Sequence, residues 1–125
     1  MTCSLIAHAP VHVMDSIAAI SAKDSECVVV TGSHGGLSAA QYALAARPLL
    51  CVFNDAGVGK DNAGIAGLVL LEQNGIAACA VSHMSARIGV ASSTLGSGVV
   101  THANPSAMAL GVALGQCVAV FAGGR

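Results

Sequence analysis

Charge is scarce in this chain: Lys, Arg, Asp and Glu make up 9% of its 125 residues. Surfaces of small monomers usually carry roughly 25–35% of these residues. The shortage points to a surface partly covered by other copies, so a homo-oligomer is expected. The alternative is a poorly charged monomer coated with Ser, Thr, Asn and Gln. Aromatics are equally rare at 2%, tryptophan is absent, and the formal net charge is −1. Nucleic-acid binding asks for a cationic face or stacking rings, and no nucleic-acid partner is expected. Hydrophobic residues reach 54% and the mean hydropathy is +0.75, yet no apolar run approaches the roughly 20 residues of a membrane span. Ala63 to Leu71 is too short and holds two glycines. No membrane partner is expected, and Met1-Thr2-Cys3-Ser4 lacks the basic start of a signal peptide. The chain reads as soluble and cytoplasmic, with a single domain over residues 1–125.

The five cysteines, Cys3, Cys27, Cys51, Cys79 and Cys117, form no CxxC pair. Four fall on or beside expected strands, where cysteine serves as a small buried hydrophobe. A catalytic thiol is the other reading.

Against these shortages stands one organising stretch, Val28-Val29-Val30-Thr31-Gly32-Ser33-His34-Gly35-Gly36. Three β-branched residues in a row predict a strand buried on both faces. It is expected to break into a glycine turn carrying a hydroxyl and an imidazole, with a helix from Leu37 to Arg47 stopped by Pro48. On that helix Leu37, Ala40 and Leu44 form one stripe, while Ala39, Ala43 and Ala46 permit close packing. The same grammar returns at Leu49 to Phe53, which runs into Asn54-Asp55-Ala56-Gly57-Val58-Gly59-Lys60-Asp61. It returns again at Ile76 to Val81, which runs into Ser82-His83-Met84-Ser85-Ala86-Arg87. A second helix is expected from about Asp61, as its N-cap, to Gln73.

Outside this unit the pattern is weaker. Ser4 to Ala7 reads as a short strand broken at Pro10. Asp15 or Ser16 caps a helix through Ala22. Val99 to His102 is either strand or helix, Ser106 to Leu114 a helix, and Cys117 to Phe121 a final strand. Alternating strands and helices with short connections imply parallel pairing with right-handed crossovers. The expected architecture is α/β: a three-layer αβα domain with a mainly parallel sheet of four or five strands.

Such sheets bind ligands outside the carboxyl ends of their strands. Ser33, His34, Asn54, Asp55, Lys60, Asp61, Ser82, His83 and Arg87 all follow expected strand ends. Most other charges have structural roles: Asp15 caps, Arg47 suits a helix C-terminus, and Glu72 faces solvent on a helix. Each residue at the edge also has an ordinary reading. Asp55 can form an Asx turn, Asp61 a helix cap, Lys60 a solvated charge and Arg87 an intersubunit pair. His34 and His83 can bond loop carbonyls.

Known motifs fit badly. A P-loop needs glycine where Asn54 stands and Ser or Thr where Asp61 stands, and a dinucleotide loop needs glycine at Asn62. Ser33 lacks the GxSxG frame of a nucleophile elbow. No cofactor is expected; a transition metal such as Zn on His34, His83, Asp55 and His102 is a lesser alternative. General acid–base chemistry fits better, because it needs a group that titrates near neutrality and a cation that holds an anion. The expectation is an enzyme (lyase, isomerase or hydrolase) acting on a small polar, anionic metabolite. His34 is assigned as acid or base and His83 as its partner. Asp55 is a second base or orients His34. Lys60 and Arg87 bind the anion, the Gly35 and Gly36 amides add dipolar support, and Ser33, Asn54, Asp61 and Ser82 contact substrate. The rival is a non-catalytic ligand-binding or regulatory subunit using the same pocket.

Overall fold

The computed structural model describes residue 6 and residues 8–123. The strand expected over Ser4–Ala7 lies, except for Ile6, outside the described residues. Five strands form one sheet in the order β1-β2-β3-β4-β5: β1 Val11–Met14, β2 Val28–His34, β3 Leu50–Asn54, β4 Ala77–Val81 and β5 Val100–Ala103. The first four are parallel, and β5 returns antiparallel to β4. The domain is a three-layer αβα domain with a mostly parallel sheet.

Alternation along each central strand divides the core in two. Val28, Val30, Leu50, Val52, Ala77, Cys79 and Val81 face one way. Val29, Cys51, Phe53, Ala78 and Ala80 face the other. Because the parallel strands follow one another in order, right-handed crossovers place every connection between them on the same face. Ile17, helix α1 (Leu37–Ala46) and helix α2 (Ala66–Gln73) therefore share one layer. The opposite face is covered from elsewhere: by Ile6 and Ala9, and by Ala86, Ala107, Val112, Val118 and Ala122. Helix α3 (Ala91–Ser97) and the short α4 (Pro105–Ala109) belong to that C-terminal third.

Several expectations are corrected. β1 starts directly after Pro10, whose carbonyl accepts the Val28 N–H at 2.8 Å; the proline opens this edge strand, which the sequence did not predict. Residues 15–24 form two 3₁₀ turns, Ile17–Ala19 and Ala22–Asp24, rather than one helix. β2 does not stop at Thr31. It continues to His34 through a bulge, where register passes from Val30↔Val52 to His34↔Asn54. In α1 the alanines Ala39, Ala40, Ala43 and Ala46 are buried, while Leu37 is 56% exposed, because small side chains let the helix sit close to the sheet and to α2.

Asp61 caps nothing. It lies at φ 56° inside a 3₁₀ turn, Lys60–Asn62, and α2 starts at Ala66. Closure of the loop, with the Gly64 N–H on the Val58 carbonyl at 2.7 Å, uses up the residues that a longer helix would need. The expected helix to Leu114 ends at Ala109, since the chain turns at Gly111 with φ 103°. The expected last strand is one bridge, Val99↔Cys117, followed by a π-helical turn, Ala119–Gly123.

Candidate functional site

The parallel strands bring the carboxyl ends of β2, β3 and β4 to one edge, where His34, Asn54 and Val81 end their strands. Antiparallel β5 begins at this edge, so Thr101 arrives beside Asp55. The Asp55 N–H donates to the Val81 carbonyl at 2.8 Å.

Asp55 is the best-supported group of the set. Its Oδ1 accepts the backbone N–H of Gly57 at 2.8 Å and of His83 at 3.0 Å, and its Oδ2 accepts the Thr101 hydroxyl at 2.8 Å. Burial alone raises the carboxyl pKa. The bonds from Gly57, Thr101 and His83, with the nearby His83 ring, outweigh it and hold the group below the usual carboxylate value. A carboxylate so engaged is a poor proton acceptor. The His83 ring stands beside it, with Nδ1 3.4 Å from Oδ1. Gly57, at φ +74°, passes beneath that ring, and a Cβ there would sit 3.4 Å from His83 Cε1.

His83 and Arg87 line the same open hollow of about 510 Å³, together with Met84, Ser85, Ala86, Ile88 and Ser93. Arg87 is exposed, and its backbone N–H donates to Ser93 Oγ at 2.9 Å. The loop that carries both residues is held from below. Asn54, fully buried, donates through Nδ2 to the Ala86 carbonyl at 3.0 Å and accepts the Ala56 N–H at 2.8 Å. Asn54 thus positions the loop. Ser82 does likewise, accepting the Met84 N–H through Oγ and the Ser85 hydroxyl through its carbonyl.

The other expected residues spread along the edge. His34 ends β2 in an exposed position, with its ring packed on Gly36, 3.0 Å from where a Cβ would stand. It lines neither this hollow nor the apolar cavity beside β5. Ser33 Oγ accepts the Ile17 N–H at 2.9 Å, so it holds the first 3₁₀ turn. The Gly35 N–H is engaged by the Asn54 carbonyl at 3.1 Å and is not free for an anion. Gly36 stands at the N-cap of α1. Lys60 and Asp61 sit on the exposed 3₁₀ turn. Ala56, Val58, Asp61 and Asn62 all take positive φ, and Val58 at 67° is an unusual state for a β-branched residue.

Two features escaped the sequence. Thr101 links Asp55 to His102, which the sequence set beside Asp55 only as a metal ligand, through a hydrogen-bond chain, since His102 Nδ1 lies 3.0 Å from Thr101 Oγ1. Only their position on an antiparallel fifth strand brings them there. At the opposite end of the sheet, Asp24 Oδ1 meets His12 Nδ1 at 2.5 Å, and His12 Nε2 lies 3.9 Å from Cys27 Sγ. The residue types resemble a nucleophile with its base and orienter. The Cys27 thiol is instead pushed up, first by burial and then by Asp24 and Glu26, which disfavours the reactive thiolate. Asp24 also completes a capping box with Ser21, which makes this cluster a clasp between β1 and the second 3₁₀ turn.

No group of three or more His, Cys, Asp or Glu among the described residues is placed to hold a metal ion. Among the same residues no helix is long and apolar enough to cross a membrane. Comparison with protein-family models, with curated proteins and with solved structures finds no match to this chain.

Proposed function

We propose that the chain is a small enzyme acting by general acid–base chemistry on a small anionic metabolite. His83 is the proton-transfer group, Asp55 its orienter and Arg87 the cation that holds the anion. The Asp55–His83 pair, at 3.4 Å, carries this reading. A buried carboxylate facing Nδ1 favours the proton on that nitrogen and leaves Nε2 as a lone pair on the far side of the ring. His83 shares its hollow with Arg87, whose planar fork suits a carboxylate or phosphate. This moves the leading role from His34 to His83. His34 stays as a second proton-transfer group on the same edge, with Lys60, Asp61 and the Gly36 amide as outlying substrate contacts. Lyase, isomerase or hydrolase chemistry is within reach of such groups.

A cytoplasmic homo-oligomer completes the proposal. Met84 and Ile88, 83% and 51% exposed, stand on the hollow, and a second copy of the chain would cover them. Light scattering should then give a mass above 12.2 kDa; a clean monomer over a wide concentration range removes this part.

The rival is a ligand-binding or regulatory subunit. It is favoured by the openness of the hollow and by the engagement of the Gly35 N–H with Asn54. One experiment separates them. The protein is incubated in D₂O with a pool of small hydroxy, keto and phosphorylated acids, and substrate signals are followed by NMR. Exchange or consumption that falls by roughly 10²–10⁴-fold in a folded His83→Ala variant supports the enzyme. No turnover, but perturbation of the His83 ring by phosphate or citrate, supports the binding subunit. Neither effect means the hollow is not a site.

A further inference from the structure

A second cavity, of about 490 Å³, opens between α2 and the β5–α4 segment. Ile65, Leu68, Val69, Ala103, Pro105 and Leu114 give it an apolar wall. Its size is in the range of small-molecule pockets, which typically pair an apolar lining with a few placed polar groups.

The polar side chains on this wall are almost all engaged. Asn104 is buried and makes four bonds: Oδ1 accepts the Ala78 and Ala107 N–H groups, and Nδ2 donates to the Leu68 and Ile76 carbonyls. Glu72 accepts the Ser106 N–H at 2.7 Å and the Ser106 hydroxyl at 2.9 Å. Gln73 is exposed at the rim. Thr101 has one hydroxyl hydrogen. Its best acceptor is the Asp55 carboxylate at 2.8 Å, with the Ala80 carbonyl farther off at 3.4 Å. With that hydrogen on the carboxylate, the strongest of the three acceptors within its reach, Thr101 Oγ1 accepts from His102 Nδ1, 3.0 Å away. The neutral ring then carries its proton on Nδ1. Nε2 is left as an acceptor, and among the described residues it meets no hydrogen-bond partner.

We propose that this cavity binds a small apolar molecule bearing a single hydrogen-bond donor, of the phenol or cyclic-alcohol class, with its hydroxyl on His102 Nε2. The apolar wall takes the ring, Asn104 and Thr101 are committed, and each Glu72 oxygen already holds a Ser106 group. The inference does not rest on catalysis at His83: it needs Asp55 only as a carboxylate that accepts the Thr101 hydroxyl, not as a partner in proton transfer.

Phenol and anisole test it. They are close in shape, and only phenol donates. With the full chain at pH 8, ¹⁵N-histidine NMR should show His102 as the Nδ1–H tautomer, and phenol should shift Nε2. Phenol should bind about 2- to 13-fold tighter than anisole, the margin of one hydrogen bond. His102→Ala should erase that margin and leave anisole binding intact. His102→Gln keeps an acceptor and should restore part of it, which holds the test open if the alanine variant fails to fold. Val69→Trp places bulk in the cavity from a position that is 63% exposed, and it should abolish binding of both. Equal affinities in the parent protein, an Nε2–H tautomer, no binding of either probe at millimolar concentration, or phenol binding that survives Val69→Trp would each overturn the proposal.

Discussion

Asp15 Oδ1 accepts the backbone N–H of Ala91 at 2.9 Å, across 76 residues of chain. Ala91 is the first residue of α3, so the carboxylate caps a helix that belongs to the opposite layer. Its own 3₁₀ turn is capped by Ser16, which accepts the Ala18 N–H. The crossing takes place over Gly32, where a Cβ would lie 2.4 Å from the Val90 nitrogen. The Gly32 carbonyl accepts the Gly89 N–H at 2.7 Å there. Removing the cap in Asp15→Ala should cost about 1 kcal/mol in urea unfolding. Asp15→Asn, which keeps an acceptor, should recover most of it. Equal losses in both variants would show that the cap contributes nothing.

Asn104 joins α2, β4 and α4 through its four bonds, and it is 5% exposed. Asn104→Ala strands two donors and two acceptors, at about 1–3 kcal/mol for each left unsatisfied. The loss should exceed about 3 kcal/mol. Asn104→Asp should be no better, because a carboxylate cannot donate to the Leu68 and Ile76 carbonyls. Mild destabilisation of the alanine variant in denaturant melts would contradict this account.

Acid should weaken the fold through Asp55 and Asp24. Burial raises both carboxyl pKa values, but hydrogen bonds and nearby cationic or imidazole groups outweigh it and depress them. Stabilisation from a depressed carboxyl is complete above the unfolded-state value of about 3.9 and is lost as pH falls through the lower folded-state value. Urea midpoints measured from pH 7 down to pH 2.5 should therefore drop in acid. Asp55→Asn should start lower at neutrality and fall less steeply. Parallel curves for the two proteins would be the contrary result.

The cysteines divide by access. Cys51 and Cys79 are fully buried, and burial pushes the Cys79 thiol up to about 12 and Cys51 higher still. Cys117 is exposed. Brief treatment of the native protein with iodoacetamide should label Cys117 and spare Cys27, Cys51 and Cys79 until denaturant is added. Peptide mapping by mass spectrometry reads this directly. Fast native labelling of Cys27 would instead make the His12–Asp24–Cys27 cluster reactive.

The central unit was legible because its residues act locally and in agreement. Val28 to Val30, the alanine-rich helix after Gly36 and Asn74-Gly75 before β4 each suit their elements on their own. The periphery was not, because tertiary packing decides it. Val118 looks like a strand residue but, with Ala122, enters the core from a short bridge and a π-helical turn. β1 has only β2 to pair with, and a preceding proline hides it. At the edge, sequence order placed Asp55, His83 and Arg87 at strand ends, but not the partnership of Asp55 with His83. That choice depends on Gly57 passing beneath the ring and on Thr101 arriving from an antiparallel strand.

The two faces of the sheet are not finished at the same time when the chain is synthesised. Ile17, α1 and α2, which cover one face, are complete before β4 emerges. Val28, Val30, Leu50, Val52, Cys79 and Val81 on the other face wait for Ala86, Ala107, Val112, Val118 and Ala122. At about 5–20 residues per second, the roughly 40 residues of that cover take on the order of 2–8 s to make. During that interval a nascent chain presents a contiguous apolar sheet surface, of the kind that chaperones bind and that aggregates form from. The C-terminal third, which carries Arg87 but neither Asp55 nor His83, is thus what closes the apolar face of the sheet.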